Sequence, residues 1–330
     1  MKITSPKLNT SYLTMNEAAL LRCQAALDFK DKGDYENARE VMHPIWKRVG
    51  ERPETNGLHP PVAAEVLLCT GILTGWIGSR NELKEAQEAA KNLITESITF
   101  YESVADLKKI AAARAELAYC YWRDGELNEA RIVLKEALQK LTAEGNTRAK
   151  ALLKLTTVEW SASRFNVALD ILNQNAGLFE KITNHTTKGN YHNELAIVLR
   201  QLATAERRDE YFQQALSEYQ KADHHFKLAE NTIFRANVKN NIGFLLFKLS
   251  RFKEAHEYVD QARRLAVSVK DRVGVAQFDD TRAQVFIAQG QLKEAQSMAH
   301  SAVSALAKSG QQCLLADALI THGIALSRLG

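Results

Sequence analysis

The stretch Asn237–Ala262, NVKNNIGFLLFKLSRFKEAHEYVDQA, decides the fold. Apolar or small residues recur in it at intervals of three and four, which is the signature of amphipathic helices. One face of a first helix carries Ile242, Gly243 and Leu246, and one face of a second carries Phe252, Ala255, Val259 and Ala262. Ser250-Arg251 separates the two patterns. The stretch therefore predicts a helical hairpin, and its small residues Gly243 and Ala255 are expected to let the two helices approach closely.

The same hairpin recurs along the whole chain. Strings such as GDYENA (33–38), GELNEA (125–130), SRFKEA (250–255) and GQLKEA (290–295) place a large apolar residue three positions before an alanine. Most begin with Gly or Ser, where the end of a helix needs a permissive backbone. The aligned alanines are Ala38, Ala86, Ala130, Ala168, Ala215, Ala255 and Ala295. Seven matches in register, 38 to 48 residues apart, indicate an array of repeats.

Composition favours an all-helical chain. A length of 330 residues exceeds a usual single core, and five prolines with 16 glycines argue against a β-rich fold. The net charge of +4 comes from 43 basic and 39 acidic residues spread along every segment. Because no basic stripe with interleaved aromatic residues appears, we expect no direct binding of nucleic acid by this segment.

Two of the hairpins carry a more specific pattern. Ala118, Tyr121, Gly125, Leu127 and Ala130 form one match, and Phe29, Gly33, Tyr35 and Ala38 form another. In this pattern the chain resembles the tetratricopeptide repeat (TPR) family over about residues 15–330. Its period exceeds the usual length of about 34 residues, as in the long-period arrays of kinesin light chains and of bacterial sensors and regulators. The resemblance implies an all-α, right-handed α-solenoid of about seven helical hairpins plus one further helix.

The predicted organisation is an N-terminal tail over residues 1–14 and a single superhelical domain over residues 15–330. Val49–Pro61 is rich in Pro and Gly, and Pro60 and Pro61 fit the start of the next helix. Surplus residues near Thr204–Asp209 are expected to extend helices or to bulge outward. Gly330 falls where the turn after an eighth first helix belongs, and natural arrays end in a polar cap. We therefore expect the domain to be truncated at its C-terminal end.

The sequence predicts a cytoplasmic protein. Residues 1–14 lack the apolar core of a signal peptide, and no apolar run approaches the length of a membrane span. The cysteines (Cys23, Cys69, Cys120 and Cys313) fall within helical patterns without a C-x-x-C pair, which is typical of buried thiols in a reducing compartment. No phosphate-binding, dinucleotide-binding, zinc-protease or nucleophile-elbow motif is present. We expect a protein that is not an enzyme and has neither cofactor nor metal.

Candidate binding residues follow from the hairpin register. In stacked hairpins the first helices line a concave groove, where such solenoids usually bind their partners. Positions three before the small residue of each first helix, and one and four after it, are expected to face that groove, and Lys248 adjoins Phe247 there. The candidate site residues are Asn193, Arg200, Asn240, Phe244, Phe247, Lys248, Asp280, Gln284, Trp122 and Trp160.

The candidates divide into polar and apolar roles. Asn193, Asn240 and Asp280 occupy the same place in successive repeats. Amides at this place could hold an extended peptide backbone. Asn193 and Asn240 resemble the asparagines that bind ligand peptides in kinesin light chains and related receptors. Arg200 and Lys248 could meet a carboxylate, and the aromatic residues could form apolar pockets. An alternative stays open, in which asparagines simply face solvent and Trp122 and Trp160 fill space between neighbouring hairpins.

The main functional prediction is a non-catalytic module that binds a protein or an extended peptide segment in its groove. An alternative is the sensory half of a bacterial transcriptional or signalling regulator whose output domain lies beyond residue 330. Self-association through the exposed C-terminal repeat is a third possibility.

Overall fold

The computed structural model describes residues 10–81, 83, 85–143, 145–309 and 311–330, which form sixteen α-helices and no β-strand. The chain divides into two compact units, Met1–Ile182 (unit 1) and Thr183–Gly330 (unit 2). Residues 1–9 of the predicted tail lie outside the described residues. The first helix begins at Met15, as expected, because Thr14 and Glu17 form a reciprocal capping box. The single domain predicted for residues 15–330 stays a prediction.

Unit 1 contains four helical hairpins. Its helices are α1 (Met15–Asp31), α2 (Tyr35–Met42), α3 (Pro60–Arg80), α4 (Ala86–Ser103), α5 (Leu107–Arg123), α6 (Leu127–Lys140), α7 (Asn146–Ser161), α8 (Phe165–Gln174) and α9 (Ala176–Lys181). The second helix of the fourth hairpin is interrupted at Asn175, whose Nδ2 donates to the Ile171 carbonyl. The sequence predicts seven pairs plus one helix, which is fifteen helices, and this break raises the number in the described residues to sixteen.

Unit 2 contains three hairpins and the last helix. They are α10 (His185–Glu206), α11 (Asp209–Leu228), α12 (Thr232–Lys248), α13 (Phe252–Ser268), α14 (Arg272–Ala288), α15 (Leu292–Leu306) and α16 (Gln312–Leu329). The surplus near residues 204–209 lengthens the first hairpin, whose helices have 22 and 20 residues. Of the two predicted outcomes, extension of the helices is confirmed.

Left-handed residues end the first helices where the sequence predicts a break. Gly33, Gly125 and Gly290 have φ angles of 76°, 82° and 75°, and Ser163 and Ser250 have angles of 58° and 57°. One residue in this conformation turns the chain so that the next helix runs back along the previous one. The predicted break at Ser250-Arg251 is confirmed, because α12 ends at Lys248 and α13 begins at Phe252.

Small residues allow the helices of a hairpin to pack closely. All seven aligned alanines are buried, none more than 4% exposed. A Cβ placed on Gly243 would lie 2.7 Å from Cγ2 of Val259 and 3.2 Å from the carbonyl oxygen of Ala255. The predicted close approach between α12 and α13 is therefore confirmed.

Two expectations from the sequence are wrong. Helix α3 is long and apolar enough to cross a membrane, although 67% of its apolar window is buried inside unit 1, as in the core helix of a globular protein. Apolar length was underestimated because Glu65, Gly71 and Gly75 interrupt the run. Cys313 is exposed, unlike Cys23, Cys69 and Cys120, because it lies on the outer side of α16.

Candidate functional site

A cleft of about 760 Å³ lies on the first helices of unit 2. Helices α12, α14 and α16 form its walls, and Arg200 of α10 reaches its edge. Its apolar lining consists of Phe244, Phe247, Ile287, Ala288, Leu314, Ile320 and Ile324. Its uncharged polar lining consists of Asn240, Asn241, Gln277, Thr281, Gln284 and Thr321. The charged residues at the cleft are Arg200, Lys248, Asp280, Asp317 and Arg328.

The cleft arises from the repeat register. Residues three and four positions apart share one face of a helix. The positions three before and one and four after Gly243 are Asn240, Phe244 and Phe247, and all three line the cleft. The same positions around Ala283 are Asp280, Gln284 and Ile287, which also line it. In α12 and α14, the positions given by the register therefore lie at one cleft.

The structure brings together seven of the ten candidate residues: Arg200, Asn240, Phe244, Phe247, Lys248, Asp280 and Gln284. Asn193 is half-buried on α10 and does not line this cleft. Trp122 and Trp160 lie on α5 and α7 in unit 1. The proposed ladder of three polar residues therefore has two members, Asn240 and Asp280, in one cleft.

Asn240 and Asp280 each carry an unsatisfied oxygen at the cleft. Their side chains belong to residues only 5% and 7% exposed. Gln284 Nε2 donates to Oδ2 of Asp280 over 2.9 Å, but no donor in the described part of the chain forms a hydrogen bond with Oδ1 of Asp280 or with Oδ1 of Asn240. A buried acceptor without a donor costs about 1–3 kcal/mol, so such atoms are rare in a folded protein. Both residues line the cleft, although neither oxygen is exposed to it.

Burial raises the pKa of Asp280 above its ordinary value, and the nearby Asp317 carboxylate raises it further. Contacts with Thr321 and Gln284 act in the opposite direction and do not cancel the effect of burial. No basic side chain among the described residues forms an ion pair with Asp280. The wall of the cleft therefore holds a carboxyl group that lacks a counter-charge.

Cations lie against the aromatic rings of the cleft. The Arg200 guanidinium is 5.4 Å from the centre of the Phe244 ring, and the Lys248 ammonium is 5.1 Å and 5.2 Å from the rings of Phe244 and Phe247. Such contacts hold a cation in place without neutralising its charge. Neither Arg200 nor Lys248 forms an ion pair with any residue that the structure describes, so both are available to an anionic group.

The aromatic residues of unit 1 are engaged with one another. Tyr35, Trp76, Tyr119 and Trp122 form a stack with centroid separations of 6.2, 5.4 and 4.7 Å. Trp122 Nε1 also donates to Oγ of Ser161 over 2.9 Å, which joins α5 to α7. Trp160 is half-buried on α7. For Trp122 these contacts favour the alternative in which the side chain fills space between neighbouring hairpins.

Several charged side chains on the first helices of unit 1 form ion pairs. Lys150 Nζ lies 2.7 Å from Oδ2 of Asp31, and Lys154 Nζ lies 2.5 Å from Oε1 of Glu116. Asp31 also accepts from Lys30 at 2.5 Å. Lys150 and Lys154 are therefore neutralised, whereas Arg123 on α5 lies over the rings of Trp76 and Tyr119 and forms no ion pair with a described residue.

A histidine cluster joins α10 and α11. The Nδ1 atoms of His185 and His225 are 3.1 Å apart, and the ring of His192 stacks on His225 at 5.5 Å. Burial and the neighbouring imidazoles lower the pKa of His225 to about 4. The sequence gives no sign of this cluster, because histidines forty positions apart show no local spacing. Among the described residues, no group of three His, Cys, Asp or Glu side chains is arranged to hold a metal ion.

Sequence reasoning also missed the contribution of α16. Asp317, Ile320, Thr321, Ile324 and Arg328 of this helix line the cleft. The signal was present, because Ile320 and Ile324 stand three before and one after Gly323, as Asn240 and Phe244 do around Gly243. The last helix was predicted only as an incomplete repeat, so its groove positions were not among the candidate residues.

No family model and no curated protein matches this sequence. Solved structures do match. A Signal Transduction ATPase with Numerous Domains from Pyrococcus horikoshii, which has a tetratricopeptide repeat sensor, gives a TM-score of 0.60 at 13% identity over 90% of this chain. Aspartyl phosphate phosphatase F from Bacillus subtilis gives 0.58 at 13% identity, over 96% of this chain and 81% of that one. A Rap protein complexed with competence and sporulation factor gives 0.57 at 10% identity, over 95% and 99%.

These similarities establish the fold. The chain has the helical-repeat fold of the tetratricopeptide type, as the sequence predicts. It spans 43% of the Pyrococcus horikoshii protein. Fold does not determine function, which has to be argued from the cleft itself.

Proposed function

We propose that unit 2 binds an extended peptide, free or as a segment of a partner protein, in the cleft between α12, α14 and α16. The observation that carries this proposal is the cleft itself, where Asn240 and Asp280 lie beside aromatic rings and the unpaired cations Arg200 and Lys248. A peptide backbone supplies N–H donors and carbonyl acceptors at regular spacing, and its side chains can occupy the apolar lining.

Three further features support a peptide. The volume of about 760 Å³ lies within the range of ligand-binding pockets. Aromatic and aliphatic side chains such as Phe244, Phe247 and Ile324 offer apolar contact beside the polar wall, the combination that binds alternate side chains of an extended segment. A Rap protein of similar fold was crystallised with competence and sporulation factor, which is consistent with ligand binding by this fold.

The test is selection from a soluble library of random seven-residue peptides, read by affinity capture and mass spectrometry. We expect the wild-type chain to retain a defined set of peptides and the variant Asn240→Ala/Phe244→Ala to lose that set. The matched control is Asn237→Ala, an exposed asparagine on the same helix that does not line the cleft. Equal retention by the double variant and the control would contradict the proposal, as would no retention by the wild type.

A sensory role is the second candidate, in which the bound peptide controls an output domain beyond residue 330. The match to a protein with a tetratricopeptide repeat sensor, of which this chain spans 43%, favours it. Sequencing the gene past codon 330 tests the arrangement directly. A continuing reading frame that encodes an output module supports this candidate, and a stop codon directly after Gly330 excludes it.

A further inference from the structure

Charge is distributed unevenly along the cleft. Successive first helices run in the same direction, because an antiparallel partner separates each from the next. Lys248 and Arg328 stand five positions after Gly243 and Gly323, near the C-terminal ends of their helices. Asp280 and Asp317 stand three and six positions before Ala283 and Gly323. The cleft therefore has a basic end and an acidic end.

The separation of the two ends follows from helix geometry. Lys248 and Asp280 differ by eight positions in the common register, and Arg328 and Asp317 differ by eleven. With a rise of about 1.5 Å per residue, these differences place the two ends about 12–16 Å apart. An extended chain covers about 3.3 Å per residue, so four or five peptide residues span this distance.

Neither the basic end nor the acidic end of the cleft has a counter-charge from a described residue. Asp279, the residue adjacent to Asp280, has a basic partner, because Arg263 Nε lies 2.8 Å from its Oδ1. Asp280 is about as buried as Asp279 and has no such partner. Arg200 and Lys248 are likewise unpaired within the described residues. Unpaired charges of opposite sign within one cleft indicate a ligand that brings both counter-charges.

The helix dipole does not account for the basic end. A cation in the last turn of a helix is stabilised by the carbonyl groups there, and this explanation would serve for Lys248 and Arg328. Arg200, however, stands six residues before the end of α10 at Glu206. It lies over the Phe244 ring and lines the same cleft.

We infer that the cleft recognises a dipolar peptide segment, with a cationic group against Asp280 and a carboxylate against Arg200 and Lys248, about four residues apart. This inference rests on the proposed peptide binding. The cation is an amino terminus or a Lys or Arg side chain, and the carboxylate is a C-terminus or an Asp or Glu side chain. Peptides with like charges at both positions are excluded by repulsion from one end of the cleft.

The probes that test this are pools of five-residue peptides with three random central residues. The capped pools are Lys-x-x-x-Glu, Glu-x-x-x-Lys, Lys-x-x-x-Lys and Glu-x-x-x-Glu, and Gln-x-x-x-Gln is used with free and with capped termini. We expect at least tenfold greater retention of an oppositely charged capped pool, or of the free-termini pool, than of either like-charged pool. Retention of one order of Lys and Glu fixes the direction of the bound chain, and the free-termini pool identifies termini as the source of charge.

Protein variants locate the recognition. Asp280→Asn should abolish the preference for Lys over Gln at the cationic position, and Arg200→Gln/Lys248→Gln should abolish the preference for Glu over Gln. The control Glu257→Gln, an exposed acid on α13, should change neither preference. Equal retention of all charge classes, lost in Asn240→Ala/Phe244→Ala, would overturn the inference while peptide binding stands. Retention of no pool together with an empty random-library selection would overturn both.

Discussion

Asp279 and Asp280 show how a single register position separates a structural acid from a candidate binding acid. Both are buried on α14, yet Asp279 faces Arg263 on α13, whereas Asp280 faces the cleft. The positions differ by 100° around the helix, which is enough to change the surroundings completely. Register predicted the position of Asp280 from sequence, but its missing counter-charge required the structure.

Asp280→Asn should stabilise the free protein at neutral pH. A buried carboxylate without a cation costs more than an amide, so we expect a gain in unfolding free energy of about 1 kcal/mol at pH 7.5. Because the pKa of Asp280 is raised in the folded state, its favourable contribution is present below the ordinary carboxyl pKa and is lost as the pH rises through the raised value. The gain should therefore shrink towards pH 4.

Urea denaturation at pH 7.5 and pH 4 measures this prediction, with Glu257→Gln as the exposed control. An Asp280→Asn protein that is less stable than wild type at pH 7.5 would show that Asp280 has a compensating partner, and a gain that is equal at the two pH values would contradict a raised pKa of Asp280.

At the scale of the element, the glycines of α12 and α16 make a matched pair. A Cβ on Gly243 meets Val259 and Ala255 at 2.7 and 3.2 Å, whereas a Cβ on Gly323 meets nothing within 4 Å. Gly243→Ala should lower the unfolding free energy by about 1–2 kcal/mol, because overpacking outweighs the gain in helix propensity. Gly323→Ala should raise it by up to about 1 kcal/mol.

Thermal and denaturant unfolding of both glycine variants check this prediction. Stabilisation by Gly243→Ala would contradict the close packing of α12 on α13. Destabilisation by Gly323→Ala would show that another chain covers that face of α16, as the predicted self-association requires.

In unit 1, Arg123 links two helices through its aromatic neighbours. Its guanidinium lies 4.3 Å from the ring centre of Trp76 on α3 and 4.5 Å from that of Tyr119 on α5. Two such contacts contribute about 1–2 kcal/mol, so Arg123→Ala should lower the stability by that amount. Lys108→Ala removes an exposed cation from the same helix and is the control. Equal unfolding free energies for the two variants would contradict the stabilising role of Arg123.

The helical hairpins could be predicted from the sequence more readily than the breaks within single helices. The seven aligned alanines and the Gly or Ser breaks predicted the hairpins, because close packing and a left-handed turn each restrict the residue type. The break between α8 and α9 was not predicted, because Asn175 and Gly177 lie within an otherwise helical pattern. The apolar length of α3 was not predicted for a similar reason, because Glu65, Gly71 and Gly75 interrupt the apolar run while most of the helix stays buried.

At the scale of the whole molecule, the two compact units differ in how their charged and polar side chains are partnered. In unit 1, Lys150 and Lys154 are paired with acids, and Arg123 stacks on Trp76 and Tyr119. Unit 2 leaves acceptors and charges unpaired around one cleft. The repeat pattern predicted both sets of residues equally, because it defines which face a side chain occupies. It does not define whether neighbouring side chains satisfy one another or leave a cleft between them, and the cleft is what favours unit 2 as the binding site.

The most direct test is the position at which a bound peptide cross-links to the chain. A peptide from the random-library selection, remade with a photoreactive benzophenone at its centre, would be irradiated with the protein and the adducts mapped by mass spectrometry. We expect adducts within Thr232–Lys248, Arg272–Ala288 or Gln312–Leu329, and their loss in Asn240→Ala/Phe244→Ala. Adducts confined to the helices of unit 1, or unaffected by the double variant, would contradict the assignment of the cleft as the binding site.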